Sequence, residues 1–263
     1  NRRKLMSLIH PTSIVSPNAK LGENVKIGPF SIIHDDVEIG KNTEIASSAV
    51  LYDGARIGNN VKIFQGASIA NTPQDLKFGD EKTYFYVGDN TTIREFVTLH
   101  RGTMATGKSS VGKDCLIMAY AHVAHDCVVG DNCILSNGVQ LGGHVHVEDW
   151  VILGGMTAVH QFSKIGAYSM IGGTLKVTSD VPPYILAAGE PLRYHGLNVI
   201  GLRRRGFSND DIAIIKDCYH FIYHTGNNFS QAKEKIAAKY PDNVYAKRIL
   251  DFFVDVKRAV IRR

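Results

Sequence analysis

The sequence lacks three features that would each point to a familiar class of protein. It has no apolar run long enough to cross a bilayer, so membrane insertion is not expected. Its four cysteines form no CxxC pair, the spacing of many redox and zinc motifs. The formal net charge is only +5, and no basic patch is interleaved with aromatic residues, so nucleic-acid binding is not predicted. This charge does suit a phosphate-bearing or acidic partner.

The beginning of the chain shows no secretory signal. The stretch from Asn1 to Leu5 has no apolar core, and Met6 is expected to be the natural start. A cytoplasmic protein is therefore expected. The length of 263 residues allows one large domain or two modest ones.

The dominant pattern is an aliphatic residue at every sixth position. A period of six matches neither the 3.6 of a helix nor the alternation of one long strand, so it predicts short strands separated by tight turns. Three hexads make one coil of a parallel β-helix, with 18 residues per coil and a triangular cross-section. The repeating positions are Ile9, Val15, Leu21, Ile27, Ile33, Ile39, Ile45, Leu51, Ile57, Ile63 and Ile69, then Val87, Ile93 and Leu99, and every sixth residue from Val111 to Val177.

Two further sets of residues fit the repeat. The residue two positions before the aliphatic one is usually small or β-branched, which suits a narrow interior; examples are Ser31, Thr43, Ala49, Ala67, Ala121, Thr157 and Ser163. The residue three positions after it is often asparagine, which tolerates the left-handed conformation of a corner. These asparagines are Asn18, Asn24, Asn42, Asn60, Asn90 and Asn132.

Three cysteines, Cys115, Cys127 and Cys133, also occupy the predicted interior position. Cys115 and Cys133 are 18 residues apart and would stack on neighbouring coils. In a cytosolic protein, buried reduced thiols are expected rather than a disulfide between them.

The stretch from Ala119 to Phe162 carries four histidines between its aliphatic positions. Residues 18 apart lie in one column on neighbouring coils, with a spacing of about 4.8 Å. This arithmetic stacks His125 on Gly143 and Gln161, Asp126 on His144, His122 on Gln140, and Gly142 on His160. The four histidines should therefore converge on one patch. The alternative, histidines merely tolerated at solvent-facing turns, explains a single histidine more readily than all four.

Two interruptions break the hexads, near residues 70–86 and 100–110. Each keeps the period on both sides but has no aliphatic repeat inside, which predicts loops that leave the coil. Loops on a rigid scaffold often carry function. The polar candidates are Gln74, Asp75, Lys77, His100 and Arg101; the alternative is a solvated loop.

The pattern changes after Val177, where the DVPPY segment (Asp180 to Tyr184) is expected to end the coil. We predict a β-helix domain of residues 1–189 and a helical domain of residues 190–263. Ser208 with Asp211 predicts an N-cap, and the helix runs through Ile212, Ile215, Tyr219 and Ile222 to near Gly226. Further helices are predicted from Ser230 to Lys239 and from Tyr245 to Ile261. The basic run Arg203 to Arg205 is either a solvated helix face or a diphosphate clamp.

Several motifs together closely resemble the UDP-N-acetylglucosamine O-acyltransferases of lipid A biosynthesis, over nearly the whole chain from about Leu8. The hexads alone are shared by many acyltransferases, but the combination is far more specific. The motifs are LHRGT (Leu99 to Thr103), HVAHDC (His122 to Cys127), GGHV (Gly142 to Val145), GGMTAVHQF (Gly154 to Phe162), DVPPY and NVIGLRRRGFS (Asn198 to Ser208).

This resemblance implies a left-handed parallel β-helix with a small α-helical C-terminal domain, an exception to the usual right-handed crossover. It also implies a homotrimer with active sites between subunits. The implied reaction transfers a 3-hydroxyacyl chain from acyl carrier protein to the 3-hydroxyl of UDP-N-acetylglucosamine. The acyl group is carried on the phosphopantetheine of acyl carrier protein, so neither a cofactor nor a metal of the enzyme's own is expected.

The chemistry agrees with the implied site. A sugar hydroxyl is a poor nucleophile at neutral pH, and an imidazole titrating near pH ~6.5 is a suitable base. By resemblance the base is His125, Asp126 holds its ring, and the Gly143 amide stabilises the oxyanion. Further family positions that line the sugar and acyl site are His122, His144, His160 and Gln161. Asp75 and Lys77 match loop residues that reach the substrate from the neighbouring subunit.

At the nucleotide end, Asn198, Arg204 and Arg205 match family positions. The family has Glu two residues after the asparagine, whereas this chain has Ile200, which accepts no hydrogen bond, and the stretch from Glu190 to His195 also departs from the family pattern. Family residues that set acyl length match Met170 and Gly173. Because Gly173 leaves space, a chain of about fourteen carbons or more is predicted.

Three alternatives remain open from the residues. A related N-acyltransferase acting on a glucosamine amine shares the coil but carries a domain before it, for which hexads starting at Ile9 leave no room. A trimeric zinc hydratase needs three imidazoles at one tetrahedral ion, and the spacing does not reserve them. A non-catalytic scaffold would be indifferent to loss of His125.

Overall fold

A computed structural model of the chain describes residues 8–226, 228–254, 256 and 258–263. The expected start at Met6 lies outside the described residues. The β-strands, numbered along the chain, are β1 (Leu8–Ile9), β2 (Ile14–Val15), β3 (Lys20–Leu21), β4 (Lys26–Ile27), β5 (Ile32–Ile33), β6 (Glu38–Ile39), β7 (Glu44–Ile45), β8 (Val50–Leu51), β9 (Ala55–Ile57), β10 (Lys62–Ile63), β11 (Ser68–Asn71), β12 (Tyr84–Val87), β13 (Thr92–Ile93) and β14 (Thr98–His100). They continue as β15 (Lys108–Val111), β16 (Leu116–Ile117), β17 (His122–Val123), β18 (Val128–Val129), β19 (Ile134–Leu135), β20 (Gln140–Leu141), β21 (His146–Val147), β22 (Ile152–Leu153), β23 (Ala158–Val159), β24 (Lys164–Ile165), β25 (Met170–Ile171), β26 (Lys176–Val177), β27 (Ile185–Ala188) and β28 (Arg193–Leu197).

Every third strand joins the same sheet, so the coil has three flat faces. Sheet 1 runs β1-β4-β7-β10-β13-β16-β19-β22-β25-β27-β28, sheet 2 runs from β2 to β26, and sheet 3 runs from β3 to β24. Except for β27 against β28, the pairs within each sheet are parallel and in register, as for Ile134 opposite Ile152. The hexad pattern therefore predicted both the strands and their stacking.

The interior of the coil is filled as the six-residue period requires. Repeating aliphatic residues such as Ile33, Leu99 and Leu153 are at most 1% exposed. The small residues two positions earlier are buried as well, including Ser31 and Thr157. A narrow prism has room for only one large side chain per hexad, so the second inward position must be small.

The corners of the prism are left-handed at one residue per hexad. Asn24, Asn42, Asn60, Asn90 and Asn132 all have φ between 55° and 60°, whereas Asn18 has no positive φ, so that prediction was wrong. Between sheets 2 and 3 the same conformation is held by Asp126, His144 and Phe162, with φ of 58°, 60° and 64°. Residues with a Cβ hold this conformation at most corners, so it is a property of the coil and does not by itself mark a functional site.

Both loops are shorter than the interruptions in the hexads. Strand β11 continues to Asn71, β12 begins at Tyr84, and β15 begins at Lys108. Phe85, two positions before Val87, is fully buried at an interior position that Ala55 and Ser109 occupy on the neighbouring coils. From Tyr84 to Val87 buried and outward-facing residues alternate, as in a strand. This strand, β12, pairs in parallel with β9 of the coil before it and with β15 of the coil after it.

The coil extends past the DVPPY segment rather than ending there. Strand β27 pairs in parallel with β25, and β28 then turns back antiparallel on β27. Strand β28 lies beyond residue 189, so sheet 1 crosses the predicted domain boundary.

Four helices follow: α1 (Val199–Arg204), α2 (Asn209–Tyr223), α3 (Phe229–Lys239) and α4 (Val244–Phe252). The capping box of Ser208 and Asp211 is present as predicted. Helix α1 was not predicted, and α3 begins after Asn228 because that side chain caps it, not Ser230. Helix α4 ends at Phe252 and not at Ile261; residues 255 and 257 lie outside the described residues. None of these described helices is long and apolar enough to cross a membrane.

Candidate active site

Three consecutive coils bring the predicted histidines together at one edge of the prism. We call this edge, residues 124–127, 142–145 and 160–163 between sheets 2 and 3, the histidine corner. His144 packs edge-on against His125, with ring centroids 5.2 Å apart. Phe162 stacks on the other face of His144 at 4.5 Å. The 18-residue column arithmetic therefore placed this cluster correctly.

Asp126 is the fixed anion of the corner. Its side chain is 0% exposed and accepts the Thr103 backbone N–H at 3.0 Å, the Thr103 hydroxyl at 2.8 Å and a short hydrogen bond from the Thr106 hydroxyl. Burial raises the pKa of Asp126, but the hydrogen bonds from Thr106, His125 and Thr103 outweigh it and hold the pKa below its ordinary value. Asp126 therefore stays ionised inside the fold.

His125 is oriented by this carboxylate. Its Nδ1 donates to Asp126 Oδ2 at 2.8 Å, and its side chain is 16% exposed. Because Nδ1 carries the proton in this arrangement, Nε2 is left with a lone pair and can act as a base. A Cβ built on Gly143 would lie only 2.7 Å from this Nε2, so any residue other than glycine would collide with the ring.

Gly143 also offers a backbone donor. Within the described part of the chain, no oxygen accepts its N–H, although the residue is buried. Buried backbone donors are nearly always paired, so one without a protein partner is available to a ligand. The base nitrogen and a free amide thus lie on neighbouring coils.

His122 lies on β17 beside the corner, with its Nδ1 2.7 Å from the Thr98 hydroxyl. His100 packs edge-on behind it at 4.8 Å and is 4% exposed. Burial, together with His122 and His125, lowers the pKa of His100 to about 4. Burial also lowers the pKa of His122. Both rings are therefore kept neutral beside the base.

His160 and Gln161 complete the corner one coil further on. Both residues are exposed, and His160 Nδ1 donates to the Gln161 carbonyl oxygen at 3.1 Å. Their side chains face solvent beside the buried dyad. A cleft of about 640 Å³ opens at this corner, lined by Thr106, Asp126, His144 and Phe162 among others.

The corner also contains a possible set of metal ligands. Ligand atoms of His125, Asp126 and His144 lie within 4.8 Å of one another. The Asp126 carboxylate, however, already accepts four hydrogen bonds from Thr103, Thr106 and His125. The set supplies two imidazoles and a committed carboxylate, which fits a catalytic dyad better than a zinc site.

A second cleft, of about 760 Å³, holds most of the remaining predicted residues. We call it the arginine cleft; its lining includes Ile134, Trp150, Ile152, Met170, Asn198, Ile200, Arg204 and Arg205. Asn198 caps α1: its side-chain oxygen accepts the Gly201 N–H, and its nitrogen donates to the Tyr168 carbonyl oxygen. Arg205 lies over the Trp150 ring at 5.1 Å. Ile200 is 68% exposed at the rim.

Three predicted residues lie apart from both clefts within the chain. Asp75 is part of the loop after β11, where its carboxylate accepts the Lys77 N–H at 3.0 Å. Leu76 between them is fully exposed at the loop tip. Gly173 lies on the corner after β25, exposed, and a Cβ there would approach the Gly155 carbonyl oxygen to 3.0 Å.

Residues that the sequence analysis missed are Thr103, Thr106, Trp150 and Phe162. Thr103 and Phe162 lie inside the recognised motifs. The hydrogen bonds that Thr103 and Thr106 donate to Asp126, however, follow no sequence period and could not be predicted from it. Trp150 lies at a corner position three after Val147, where asparagine, aspartate, glycine and aromatic residues all occur, so its type gave no signal.

A coil of hexapeptide repeats with a carboxylate-held imidazole beside a free backbone amide defines the hexapeptide acyltransferase class. Residues 18–53 and 108–143 match the bacterial transferase hexapeptide model, and residues 180–261 match the second domain of UDP-N-acetylglucosamine O-acyltransferase.

Known relatives narrow this class. The acyl-(acyl-carrier-protein)–UDP-N-acetylglucosamine O-acyltransferases of Thiobacillus denitrificans and Janthinobacterium sp. are 48% and 51% identical, covering 98% of this chain and 100% of each relative. The UDP-N-acetylglucosamine acyltransferase structures from Francisella novicida (37% identical, 97% of this chain and 94% of that chain) and Bacteroides fragilis (44%, 97% and 100%) both superpose with a TM-score of 0.94. The chain therefore belongs to the UDP-N-acetylglucosamine O-acyltransferase family, and its fold is the left-handed parallel β-helix with a helical C-terminal domain.

Proposed function

We propose that this chain transfers a 3-hydroxyacyl group from acyl carrier protein to the 3-hydroxyl of UDP-N-acetylglucosamine, the first step of lipid A and hence lipopolysaccharide biosynthesis. The observation that carries the proposal is the His125–Asp126 pair at 2.8 Å, with Gly143 packed against the other ring nitrogen and its N–H without a partner among the described residues. A base and an oxyanion donor on adjacent coils are what acyl transfer to a hydroxyl requires.

In the first step His125 acts as general base. Its Nε2 takes the proton of the sugar hydroxyl while the oxygen attacks the thioester carbon. The imidazolium that forms is stabilised by Asp126, whose pKa is held low by Thr106, His125 and Thr103 against the effect of burial.

In the second step the tetrahedral intermediate collapses. Its oxyanion accepts the Gly143 N–H, which has no partner among the described residues. The C–S bond breaks, and the departing pantetheine thiolate takes the proton from His125, leaving the ester, a free thiol and neutral imidazole. The reaction balances without a metal or a cofactor of the enzyme's own, and the proposal includes neither.

The remaining residues are assigned to binding. His122, His144, His160 and Gln161 surround the sugar and thioester, and the neutral His122 ring helps to shape the pocket. Arg204 and Arg205 neutralise the diphosphate, with Asn198 holding the helix that carries them. In place of the family's glutamate, Ile200 offers only an apolar surface to the nucleoside, so nucleotide contacts depend more on the arginines.

Met170 and Gly173 are proposed to set the length of the acyl chain that the site accepts. Gly173 is exposed and carries no side chain at its corner, so the proposed donor carries a 3-hydroxyacyl chain of about fourteen carbons or more.

The proposal includes a homotrimer with sites between subunits. In a triangular prism the corner between sheets 2 and 3 lies opposite sheet 1, whose outward residues Ile134, Ile152 and Met170 line the arginine cleft. One substrate cannot touch both sides of a single coil. A second copy that sets its sheet 1 against the histidine corner would unite them, with Asp75, Leu76 and Lys77 reaching across from their loop.

The carrier protein is proposed to dock by charge, because acyl carrier proteins are acidic as a class. The KM for acyl carrier protein should then rise with ionic strength. A cytoplasmic location is also part of the proposal. It is supported by the stacked but unpaired Cys115 and Cys133, since neighbouring thiols persist in a reducing compartment.

The testing experiment measures acyl transfer from a series of 3-hydroxyacyl carrier proteins to UDP-N-acetylglucosamine. Wild type should turn over, His125→Ala should lose about 10²- to 10⁴-fold in kcat, and the exposed His195→Ala control should match wild type. No turnover with any donor would refute the proposal and lead first to an amino-sugar acceptor. Hydratase activity that a chelator abolishes and Zn²⁺ restores would favour the hydratase alternative.

A further inference from the structure

The corners of the coil are tied together by a regular backbone ladder. At most corners the N–H of one residue donates to the carbonyl oxygen that lies one coil earlier. In the histidine corner His144 N donates to His125 O at 3.0 Å, and Phe162 N donates to Gly143 O at 3.1 Å. The peptide groups after His125, Gly143 and Gln161 therefore form a hydrogen-bonded stack that runs through the site.

This stack is interrupted one coil later. By the 18-residue register, the N–H of Asp180 should donate to the Gln161 carbonyl oxygen. Instead it donates to Ala259 O at 2.8 Å, because the C-terminal segment pairs with Asp180 at this point. The Gln161 carbonyl oxygen thus loses its backbone donor.

A side chain from the C-terminal segment takes the vacant place. Arg258 Nη1 donates to the Gln161 carbonyl oxygen at 3.0 Å, and its Nε donates to the Thr178 carbonyl oxygen at 3.3 Å. The segment itself is anchored, since Ile261 N donates to Asp180 O at 3.0 Å and Arg258 N lies 3.4 Å from Asp180 Oδ2. The guanidinium is therefore held at both ends.

We propose that Arg258 is a positioning residue for the acyl-transfer reaction, acting through the peptide stack on Gly143; this inference rests on the proposed function. The peptide that joins Gln161 and Phe162 accepts from Arg258 at its oxygen and donates to Gly143 O at its N–H. A charged donor polarises that peptide and strengthens its own donation. Arg258 also places a cation at the carbonyl end of the stack, where partial negative charge accumulates.

The consequence lies at the oxyanion donor. The peptide that joins Gly143 and His144 is fixed at both ends, because its oxygen accepts the Phe162 N–H and its N–H donates to His125 O. Both bonds limit rotation of a glycine that has no side chain to restrain it. Loss of Arg258 should loosen this corner while the buried dyad of His125 and Asp126 stays in place. His160 Nδ1 also reaches the Gln161 oxygen, so the loss is partial.

The test compares Arg258→Ala and Arg258→Lys with wild type and with Arg262→Ala, a control in the same segment whose exposed side chain makes no hydrogen bond within the described chain. Arg258→Ala should lose about 10- to 100-fold in kcat with both KM values within about twofold, since misplacement acts on the transition state. Arg258→Lys, with a single donor group, should fall between, and added guanidinium should partly restore Arg258→Ala. Arg262→Ala should match wild type.

A second readout does not depend on activity. Amide hydrogen exchange should speed up at Phe162 and His144 in Arg258→Ala and remain unchanged in Arg262→Ala. If wild type proves inactive, the proposed function fails while this exchange result still decides whether Arg258 holds the stack. Unchanged exchange at both amides, or a change confined to KM, would overturn the inference. Should Arg258→Ala not fold, the same two readouts on Arg258→Lys decide.

Discussion

Thr103 holds Asp126 with two hydrogen bonds, one from its backbone N–H at 3.0 Å and one from its hydroxyl at 2.8 Å. The two residues are 23 positions apart, and Thr103 belongs to the loop that leaves the coil after β14. The loop thus folds back to fix the carboxylate that orients His125. The coil therefore supplies His125 and Asp126, and the loop supplies the Thr103 donors that hold the Asp126 carboxylate.

Removing this support should shift the activity profile with pH. In Thr103→Val the side-chain donor is lost, so the pKa of Asp126, now held low by Thr106, His125 and Thr103 against the effect of burial, should rise. Asp126 must be ionised to orient His125, and the acidic limb of kcat/KM should therefore move to higher pH. We expect about a 10-fold loss of kcat near neutrality. Thr92→Val, on the outer face of β13, is the matched control, and an unmoved acidic limb would contradict the assignment.

His100 should make the fold sensitive to acid. Its pKa is lowered to about 4, mainly by burial, whereas the unfolded chain protonates near 6.5. Between these values the unfolded state binds a proton that the folded state does not, so the free energy of unfolding falls as the pH drops, by about 3 kcal/mol in total. His100→Gln should flatten this slope in urea titrations at fixed protein concentration. The exposed His195→Gln is the control; a slope unaltered by His100→Gln would sink the idea.

Gly173→Met should shorten the preferred acyl chain. The longer side chain would project into the space left at the exposed corner after β25, and turnover of donors with about fourteen carbons should drop at least 10-fold while shorter donors are retained. Thr174→Met is a suitable control because Met156 already occupies the equivalent corner one coil earlier, with φ of 59°. Donor competition in one reaction measures the shift, and unchanged long-chain turnover would refute the role of Gly173 in setting acyl length.

Two inactive variants should complement each other if sites form between copies. His125→Ala damages the histidine corner, and the double variant Arg204→Ala with Arg205→Ala damages the arginine cleft on the opposite side of the coil. Mixed trimers refolded from equal amounts should recover about a quarter of wild-type activity, because a quarter of the interfaces join two intact halves. Each variant mixed with itself is the control. No recovery in chromatographically confirmed mixed trimers would show that each site lies within one chain.

The six-residue period is enough to predict the coil, because it leaves one way to bury an aliphatic residue and a small residue in each hexad. The same period predicts that His125, Gly143 and Gln161 stack on neighbouring coils. It also located the capping box of Ser208. Three predictions from the sequence were wrong: the left-handed conformation of Asn18, the boundaries of the two loops and the length of the last helix. At these places packing overrides the local pattern.

Only the tertiary structure decided what non-periodic segments contribute. Thr103 and Thr106 meet Asp126 through a loop without a repeat, and Arg258 meets Gln161 across almost a hundred positions. Such contacts depend on how segments fold back in space, which no local spacing records. The structure also separated the histidine corner from the arginine cleft, since a prism fixes which faces are neighbours and which are opposed. The repeat therefore explains the coil, and the long-range hydrogen bonds explain how the site residues on it are held.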